Sequence, residues 1–326
     1  MMRLQKMSTE NIKTVAVIGA GIMGEGIAQN FAQAGLSVRL VDQGKDILDR
    51  CLRQMDANLN LLLEFGLLLE NSSDIKARIM PFLSRDLAEA MKDCDFIVEA
   101  IPEILQLKKD LLSQIDSFHK EVILGSNTSS FTVSQIAEGS RNPGRVIGTH
   151  YFNPAHIMPL VELHTGKDTR AEVVEVTKAL MQRVGKVPVI VRKEVPGFIV
   201  NRIQGAMERE IGYLIDEGIV TPADLDVAAK ASYGFRLACM GPMEAEDMIG
   251  LDTAMRVSGQ IYKTLNDKIT PSPVLVGKVE KGELGLKSGK GWYDYMNRSQ
   301  EEVKGEINRR LLQQLALFNS RRKKDA

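Results

Sequence analysis

The first part of the chain alternates short apolar runs with longer stretches of helical periodicity. This alternation is typical of β-α-β units, and near-continuous apolar runs are typical of parallel strands covered on both faces. The leucine-rich stretch Lys45–Leu69 predicts a long helix with a break near Gly66. The predicted strands are Thr14–Ala20, Val38–Asp42, Asp95–Ala100, Val122–Ser126, Arg145–Thr149 and Val187–Val191.

The pattern changes after Pro196-Gly197, where helical periodicity replaces the strand-like runs. Thr221 is a predicted N-cap, with Pro222 at the first helical position. We place a domain boundary near Val195. The predicted helices of this part are Ile199–Asp216, Pro222–Ser232, Pro242–Leu265 and Glu301–Phe318.

The residues after the second domain form a predicted C-terminal helical extension, 297–326. Val303, Ile307, Leu311 and Leu315 recur every four residues and make one apolar stripe. Such a stripe needs a partner surface.

Composition and charge narrow the class of protein. The 326 residues include 42 Lys and Arg against 42 Asp and Glu, which argues against a chain whose main task is to neutralise nucleic-acid phosphates. The three cysteines are far apart, so we expect reduced thiols and no metal site. Met1–Asn11 lacks an apolar targeting segment, and no apolar run approaches the roughly 18 residues of a membrane span. We expect a cytoplasmic enzyme that binds neither nucleic acid nor membrane.

A glycine-rich turn follows the first predicted strand. Gly19, Gly21 and Gly24 form G-x-G-x-x-G around Ile22 and Met23. The first glycine permits the tight turn, the second lets a pyrophosphate approach the backbone, and the third allows close packing of helix and strand. The helix N-terminus that follows provides N–H groups for the phosphates. The sequence therefore predicts a Rossmann-type doubly wound parallel sheet in residues 12–195, an α/β fold, followed by an all-α domain in residues 196–296.

The cofactor is predicted from the end of the second strand. Asp42 stands there, where a carboxylate accepts hydrogen bonds from the ribose hydroxyls and repels a 2′-phosphate. NAD is therefore favoured over NADP. Two alternatives remain at this point, since FAD proteins share the glycine pattern and a glycine turn followed by an aspartate also occurs without any ligand.

Candidate chemistry lies after two strands of the same predicted sheet. His150 follows Arg145–Thr149, and the hydroxyl-rich loop Ser126–Ser130 follows Val122–Gly125, so both face the edge where ligands bind. Glu162 interrupts an apolar run, and a buried carboxylate needs a partner such as a histidine. Ser129 as a helix cap and Glu162 as a structural ion pair remain alternatives.

Taken together, the motifs over residues 12–296 resemble the NAD-dependent 3-hydroxyacyl-CoA dehydrogenase family of fatty acid metabolism, and most of all its short-chain 3-hydroxybutyryl-CoA dehydrogenases. Six motifs occur in the family's order, which is far more specific than one glycine pattern. They are Gly19–Gly26, Ser126–Ser130, Gly148–Pro154 with Met158–Glu162, Pro196–Arg202, Gly241–Glu244 with Asp247 and Gly250–Asp252, and Lys287–Tyr295.

The resemblance implies roles for particular residues. His150 would be the general base for the 3-hydroxyl group, and Glu162 would hold its imidazole in one tautomer. Ser129 and Asn201 would hydrogen-bond the reacting oxygen or the neighbouring carbonyl. The family also implies a homodimer formed through the second domain, with substrate in the interdomain cleft. Three further positions would line the cofactor: Glu103, Lys108 and Asn153.

Two features depart from a CoA-binding member of this family. Family members that use CoA thioesters hold its phosphates with Lys or Arg on the helical segment after the second strand, but Asp56–Ile75 contains four acidic residues and no basic one. Arg53, Lys76 or Arg78 could still reach such a ligand. The second feature is Arg236, which is a candidate partner for a free carboxylate or else takes part in a surface or interface ion pair.

The sequence therefore favours a 3-hydroxyacyl-CoA substrate and keeps a CoA-free hydroxy acid or hydroxymethyl carboxylate as the alternative. A 3-hydroxyisobutyrate-type dehydrogenase would need a catalytic lysine where Asn201 and Arg202 stand. A non-enzymatic, crystallin-like protein is disfavoured because such a protein has no reason to keep the four candidate active-site residues.

Overall fold

The computed structural model describes the backbone of residues 9–325 and the side chains of residues 9–322. Its first part is built on one eight-stranded sheet with the order β3-β2-β1-β4-β5-β6-β7-β8. This is the predicted α/β architecture, with a helical region after it. The strands are β1 Thr14–Ile18, β2 Ser37–Asp42, β3 Ile79–Leu83, β4 Phe96–Glu99, β5 Ile123–Ser126, β6 Val146–Tyr151, β7 Leu160–Thr165 and β8 Val187–Val191.

The sheet is not parallel throughout, which corrects one expectation. Strands β1 to β6 are parallel, but β7 pairs antiparallel with β6, and β8 pairs parallel with β7. Val187–Val191 therefore runs opposite to the strands with which it was grouped. The reason is the short connection after Tyr151, because a parallel neighbour requires a crossover of a dozen residues or more.

Both faces of the sheet are buried, as the apolar runs indicate. On β1 the side chains of Val15 and Val17 belong to one core cluster, and those of Ala16 and Ile18 belong to another on the opposite face. Helices cover both clusters, so the strands have no solvated face to mark with alternating polar residues.

The helices of this part are α1 Ile22–Gln33, α2 Lys45–Glu64, α3 Ser72–Ala77, α4 Leu87–Met91, α5 Leu105–Phe118, α6 Val133–Ile136 and α7 Ala171–Arg183. Helix α2 ends just before Gly66, which has a φ of 64°, as the predicted break requires. The later helices are α8 Val200–Asp216, α9 Pro222–Ala231, α10 Tyr233–Leu237, α11 Pro242–Ile249, α12 Leu251–Ile261, α13 Pro273–Glu280 and α14 Gln300–Asp325.

Two of these later helices refine the sequence prediction. The Thr221 side chain accepts a hydrogen bond from the Asp224 amide, so the predicted N-cap of α9 is confirmed. The single helix predicted for Pro242–Leu265 is instead divided at Gly250, whose φ of 90° cannot continue a helix.

The chain divides into two compact units. One comprises the residues up to Ile199 together with those from Asn308 onward, and the other is Val200–Ile307. The end of α14 thus belongs with the sheet. Its Leu312 is 1% exposed and lies in the same core cluster as Leu59 and Leu62 of α2. Within residues 9–325, no helix combines the length and the apolar character needed to cross a membrane.

Candidate active site

A groove of about 760 Å³ lies at the carboxyl ends of β1, β2, β4 and β5. This is the edge at which open α/β sheets bind their ligands. Most of the predicted cofactor residues line it: Gly19, Gly21, Ile22, Met23, Asp42 and Glu103, together with Ser129 of the catalytic set. Residues that are far apart in the chain, and that the sequence predicted to bind the cofactor, thus line one groove.

The glycines of the first turn are required by distances in the structure. Gly19 has a φ of 102°, and a Cβ there would lie 2.5 Å from the carbonyl oxygen of Ala100. A Cβ on Gly24 would lie 1.7 Å from the Gly19 oxygen, so no larger residue fits there, and Gly24 is not among the residues that line the groove. Gly21 has open space where its Cβ would stand, which is the cradle that a pyrophosphate needs.

Asp42 closes the β2 side of the same groove. Its Oδ2 accepts a hydrogen bond of 2.7 Å from the Ala20 amide, and its Oδ1 accepts one of 2.7 Å from the Gln43 amide. These two bonds fix the carboxylate against the glycine turn. The donor set therefore fits NAD: glycine backbone and an uncapped helix N-terminus for the diphosphate, and a held carboxylate for a ribose.

Glu103 organises the hydroxyl-rich loop after β5. Its Oε1 accepts hydrogen bonds from the Thr128 hydroxyl at 2.6 Å and from the amides of Ser129 and Ser130 at 2.9 and 3.0 Å. Burial alone would raise the pKa of Glu103, but these donors and the charge of Lys108 hold it below its usual value. Glu103 thus fixes the backbone on which Ser129 is presented.

Lys108 plays a supporting part in the structure. Its side chain is 1% exposed, and its Nζ lies 2.9 Å from Glu99 Oε1 and 3.2 Å from Glu103 Oε2. It is not among the residues that line the groove. Glu99, to which sequence reasoning gave no role, also accepts a hydrogen bond from the Ser126 hydroxyl. The signal for Glu99 was available, because a carboxylate at the end of a buried strand needs a partner.

His150 and Glu162 face each other across the antiparallel pair β6–β7. They occupy directly opposed positions, and His150 Nδ1 lies 2.9 Å from Glu162 Oε2. Both side chains are buried, at 4% and 1% exposure. Glu162 Oε1 accepts a further hydrogen bond from the Ile199 amide at 3.2 Å. His150 is thus the last but one residue of a strand and not, as the sequence suggested, the residue after it.

Asn127 links this pair to the cofactor groove. The groove is lined by Asn127, whose Oδ1 accepts a hydrogen bond of 2.9 Å from the amide of Tyr151, next to His150. The expectation that the loop after β5 and the end of β6 converge is therefore met. Sequence reasoning gave Asn127 no role, although its position directly after a strand pointed to this edge of the sheet.

Three other predicted residues are described by the elements to which they belong. Asn153 is exposed beyond β6 and precedes a cis proline. Asn201 lies in the first turn of α8, and Arg236 is exposed on α10, both in the second unit. Their roles remain predictions.

Comparison with known protein families agrees with this arrangement. Residues 14–195 match the model of the 3-hydroxyacyl-CoA dehydrogenase NAD binding domain, and residues 197–295 match that of the 3-hydroxyacyl-CoA dehydrogenase C-terminal domain. The chain belongs to the 3-hydroxyacyl-CoA dehydrogenase family. It is accordingly an NAD-dependent oxidoreductase that acts on a CH–OH group.

Individual members of the family point to two kinds of substrate. The chain is 37% identical to a 3-hydroxybutyryl-CoA dehydrogenase of Clostridioides difficile, over 86% of this chain and 99% of that one. It is 30% identical to a 5-formyl-3-hydroxy-2-methylpyridine 4-carboxylate 5-dehydrogenase of Mesorhizobium japonicum, over 92% of this chain and 96% of that one. A crystal structure is known for an enzyme of the latter name, described as an NAD⁺-dependent dismutase. It matches with a TM-score of 0.87 and 29% identity, and the match covers 94% of this chain and 99% of that one.

Proposed function

We propose that this member of the family oxidises a hydroxyl group with His150 as the general base. The observation that carries the proposal is the buried 2.9 Å contact between His150 Nδ1 and Glu162 Oε2. A carboxylate that accepts a hydrogen bond from Nδ1–H leaves the Nε2 lone pair free to take a proton from a substrate, and it stabilises the imidazolium that results. The antiparallel pairing supports both functions because it holds the two side chains directly opposite each other.

The other residues of the proposed mechanism bind and orient. NAD, when bound, supplies the hydride acceptor. His150 takes the proton from the hydroxyl oxygen as a hydride leaves the carbon that bears this oxygen, so that the C–O single bond becomes a carbonyl. Ser129, whose amide is held by Glu103, would donate a hydrogen bond to the reacting oxygen, and Asn201 would bind that oxygen or the neighbouring carbonyl. Lys108 keeps Glu103 charged and in place.

A matched pair of histidine variants tests this role. We expect His150→Gln to bind NAD as the wild type does and to lose about a thousandfold in turnover, within the range found when a general base is removed. His119→Gln is the control, because His119 lies at the end of α5, away from the His150–Glu162 pair. NADH fluorescence measures binding, and absorbance at the NADH band measures turnover. A His150→Gln variant that keeps most of its activity would refute the assignment.

For the substrate, the charges near α2 favour the CoA-free alternative over the thioester. CoA carries a diphosphate and a further phosphate, which require cations. Of the basic residues beside the acidic segment, Lys76 is ion-paired with Asp56, and Arg78 is ion-paired with Glu70. The exposed basic residues of α2 lie before that segment: Lys45, which is ion-paired with Asp49, Arg50, which lines the cofactor groove, and Arg53. These ion pairs leave the acidic segment after β2 with little to offer a phosphate group.

The C-terminal helix supports the same choice. The part of α14 from Asn308 packs on the first unit, where Leu311 and Leu315 adjoin the core cluster and Arg309 is ion-paired with Glu64 at the end of α2. The pyridine-carboxylate enzyme matches over 302 residues, the butyryl-CoA enzyme over 284 and a 3-hydroxyacyl-CoA dehydrogenase of Caenorhabditis elegans over 296. We therefore propose a CoA-free hydroxy carboxylate as the substrate, with Arg236 as the partner of its carboxylate.

The second candidate is a 3-hydroxyacyl-CoA, favoured by the higher identity to the butyryl-CoA enzyme. The deciding experiment compares (S)-3-hydroxybutyryl-CoA, free 3-hydroxy acids and aromatic hydroxymethyl carboxylates under NAD. We expect turnover with an acid that lacks CoA, and we expect Arg236→Met to raise KM for it about tenfold or more, since a charge-assisted hydrogen bond is lost. Turnover of the thioester alone would establish the second candidate.

We also propose that the protein is a homodimer formed through the second unit, as the family resemblance implies. Helices α8 to α13 contain no buried residue, and apolar side chains such as Phe235, Met248 and Met255 are 73–74% exposed. So large an apolar surface is typical of an interface. Sedimentation equilibrium tests the dimer.

A cytoplasmic location remains part of the proposal, supported by cysteines that form no disulfide among the described residues.

A further inference from the structure

His164 is a second buried histidine beside the His150–Glu162 pair. Strand β7 presents Glu162 and His164 on the same face, opposite His150 and Gly148 of β6. A Cβ on Gly148 would lie 2.8 Å from the His164 Cβ and 2.9 Å from its Cδ2, so the missing side chain makes room for the ring. The ring packs on Phe198, with 3.5 Å between the centroids. Its position is therefore fixed from two sides.

The open nitrogen of this ring faces the carboxylate. His164 Nε2 lies 3.7 Å from Glu162 Oε2, the oxygen that contacts His150. The residue is 3% exposed, and in the described part of the chain Nε2 has no hydrogen-bond partner. A buried N–H without an acceptor is costly, which favours its approach to the one carboxylate oxygen beside it.

His164 acts there as a neutral ring. Burial lowers its pKa to about 4, and the nearby His150 adds to this effect while Glu162 opposes it. These two are the titratable groups that act on it. The other neighbours, Val191 on β8 and Phe198, carry no charge. At neutral pH the ring is therefore uncharged, and in the tautomer with its proton on Nε2 it offers the carboxylate an N–H dipole and not a second cation.

We propose that His164 is a positioning residue for the catalytic pair: its Nε2–H holds Glu162 Oε2 against His150 Nδ1 and moderates the basicity that Glu162 confers on His150. The inference rests on the proposed role of His150 as the base. A second donor draws negative charge from the carboxylate, so His150 gives up its proton more readily. Removal of that donor should raise the pKa of His150 and leave less of the free base at a given pH.

Three variants separate this role from packing. His164→Phe keeps an aromatic ring on Phe198 but has no N–H, and His164→Met is a second apolar variant in case the first fails to fold. His164→Gln carries an amide N–H at the same distance along the side chain as Nε2. The full-length protein with NAD bound and with ¹⁵N-labelled histidines is titrated by NMR, and the His150 signals are identified by their loss in His150→Gln.

We expect the pKa of the His150 ring to rise by about 0.5 to 1 pH unit in His164→Phe and His164→Met, and to stay at the wild-type value in His164→Gln. With an active substrate, the acid limb of the pH profile of kcat/KM should move to higher pH by the same amount. At pH values below the His150 pKa, kcat/KM should therefore fall about three- to tenfold. Equal His150 pKa values in wild type and both apolar variants, or an equal shift in His164→Gln, would overturn the proposal. The NMR readout needs no turnover, so it is separate from failure of the proposed base, which full activity of His150→Gln would reveal.

Discussion

The attachment of the C-terminal helix to the NAD-binding unit is open to a direct test of stability. Leu312 of α14 is 1% exposed and shares a core cluster with Leu59 and Leu62 of α2, whereas Leu317, one and a half turns further on, is 45% exposed. Leu312→Ala removes a buried side chain, and Leu317→Ala makes the same chemical change on the same helix near solvent. The difference in unfolding free energy between these two variants therefore measures the effect of burying the leucine side chain.

The expected magnitude follows from this burial. Truncation of a buried leucine costs the lost transfer free energy plus the cavity, about 2.7–5 kcal/mol. Because Leu311 and Leu315 on the same helix are only partly buried, the site can relax, and we expect about 3 kcal/mol. At about 2–4 °C per kcal/mol, Tm should fall by about 6–12 °C. For Leu317→Ala we expect about 1 kcal/mol or less.

Thermal and urea unfolding of the full-length variants measures these losses. Hydrogen exchange of the peptides that cover α2 should become faster in Leu312→Ala but not in Leu317→Ala, since the cluster joins α14 to α2. NAD affinity serves as the control for an intact groove, from which Leu312 is absent. Equal Tm values and equal α2 exchange in the two variants would refute the packing of this helix on the first unit.

Two further predictions concern the groove, and a third concerns a buried lysine elsewhere in the first unit. Gly24→Ala should lower Tm, because its Cβ would lie 1.7 Å from a backbone oxygen. Gly21→Ala should keep the wild-type Tm, since its Cβ meets open space, but it should lose NAD affinity, which NADH titration measures. Asp42→Ser should reduce the preference for NAD over NADP about tenfold to a hundredfold, measured as a ratio of dissociation constants, with Asp46→Ser of α2 as the control. Burial lowers the pKa of Lys186 to about 7, so the unfolded chain binds more protons between pH 7 and about 10 and stability should rise with pH there, by up to about 1.4 kcal/mol per unit; a Lys186→Met variant with the same slope of unfolding free energy would contradict this.

The cofactor groove was predictable because its signals are local. The glycines mark a turn that only they can make, and Asp42 ends a strand that an apolar run defines. Strand β3 was missed for an equally local reason. It contains Pro81, which removes an N–H from the ladder and argues against a strand, but β3 is at the edge of the sheet, where proline is tolerated.

The role of the C-terminal helix depended on contacts that no local pattern records. The spacing of Val303 to Leu315 predicted an apolar stripe but not the surface that receives it. The structure joins the part of α14 from Asn308 to the leucine-rich α2, which explains why α2 carries more apolar residues than one sheet face requires. An acidic, apolar segment that departed from the CoA-binding pattern thus becomes intelligible as the packing partner of an extension.

The proposed catalytic pair shows how strand direction brings two side chains together. Glu162 was recognisable as a carboxylate in need of a partner, but β7 itself was not predicted, and the six strands that were predicted were all expected to be parallel. A parallel crossover after Tyr151 would need a dozen residues or more, whereas only residues 152–159 separate β6 from β7. The short return forces an antiparallel pair, and that pairing sets His150 opposite Glu162 and Gly148 opposite His164. The same reversal therefore provides the proposed base, the carboxylate opposite it and the space for the second histidine ring, so a change in the length of this connection would disturb all three together.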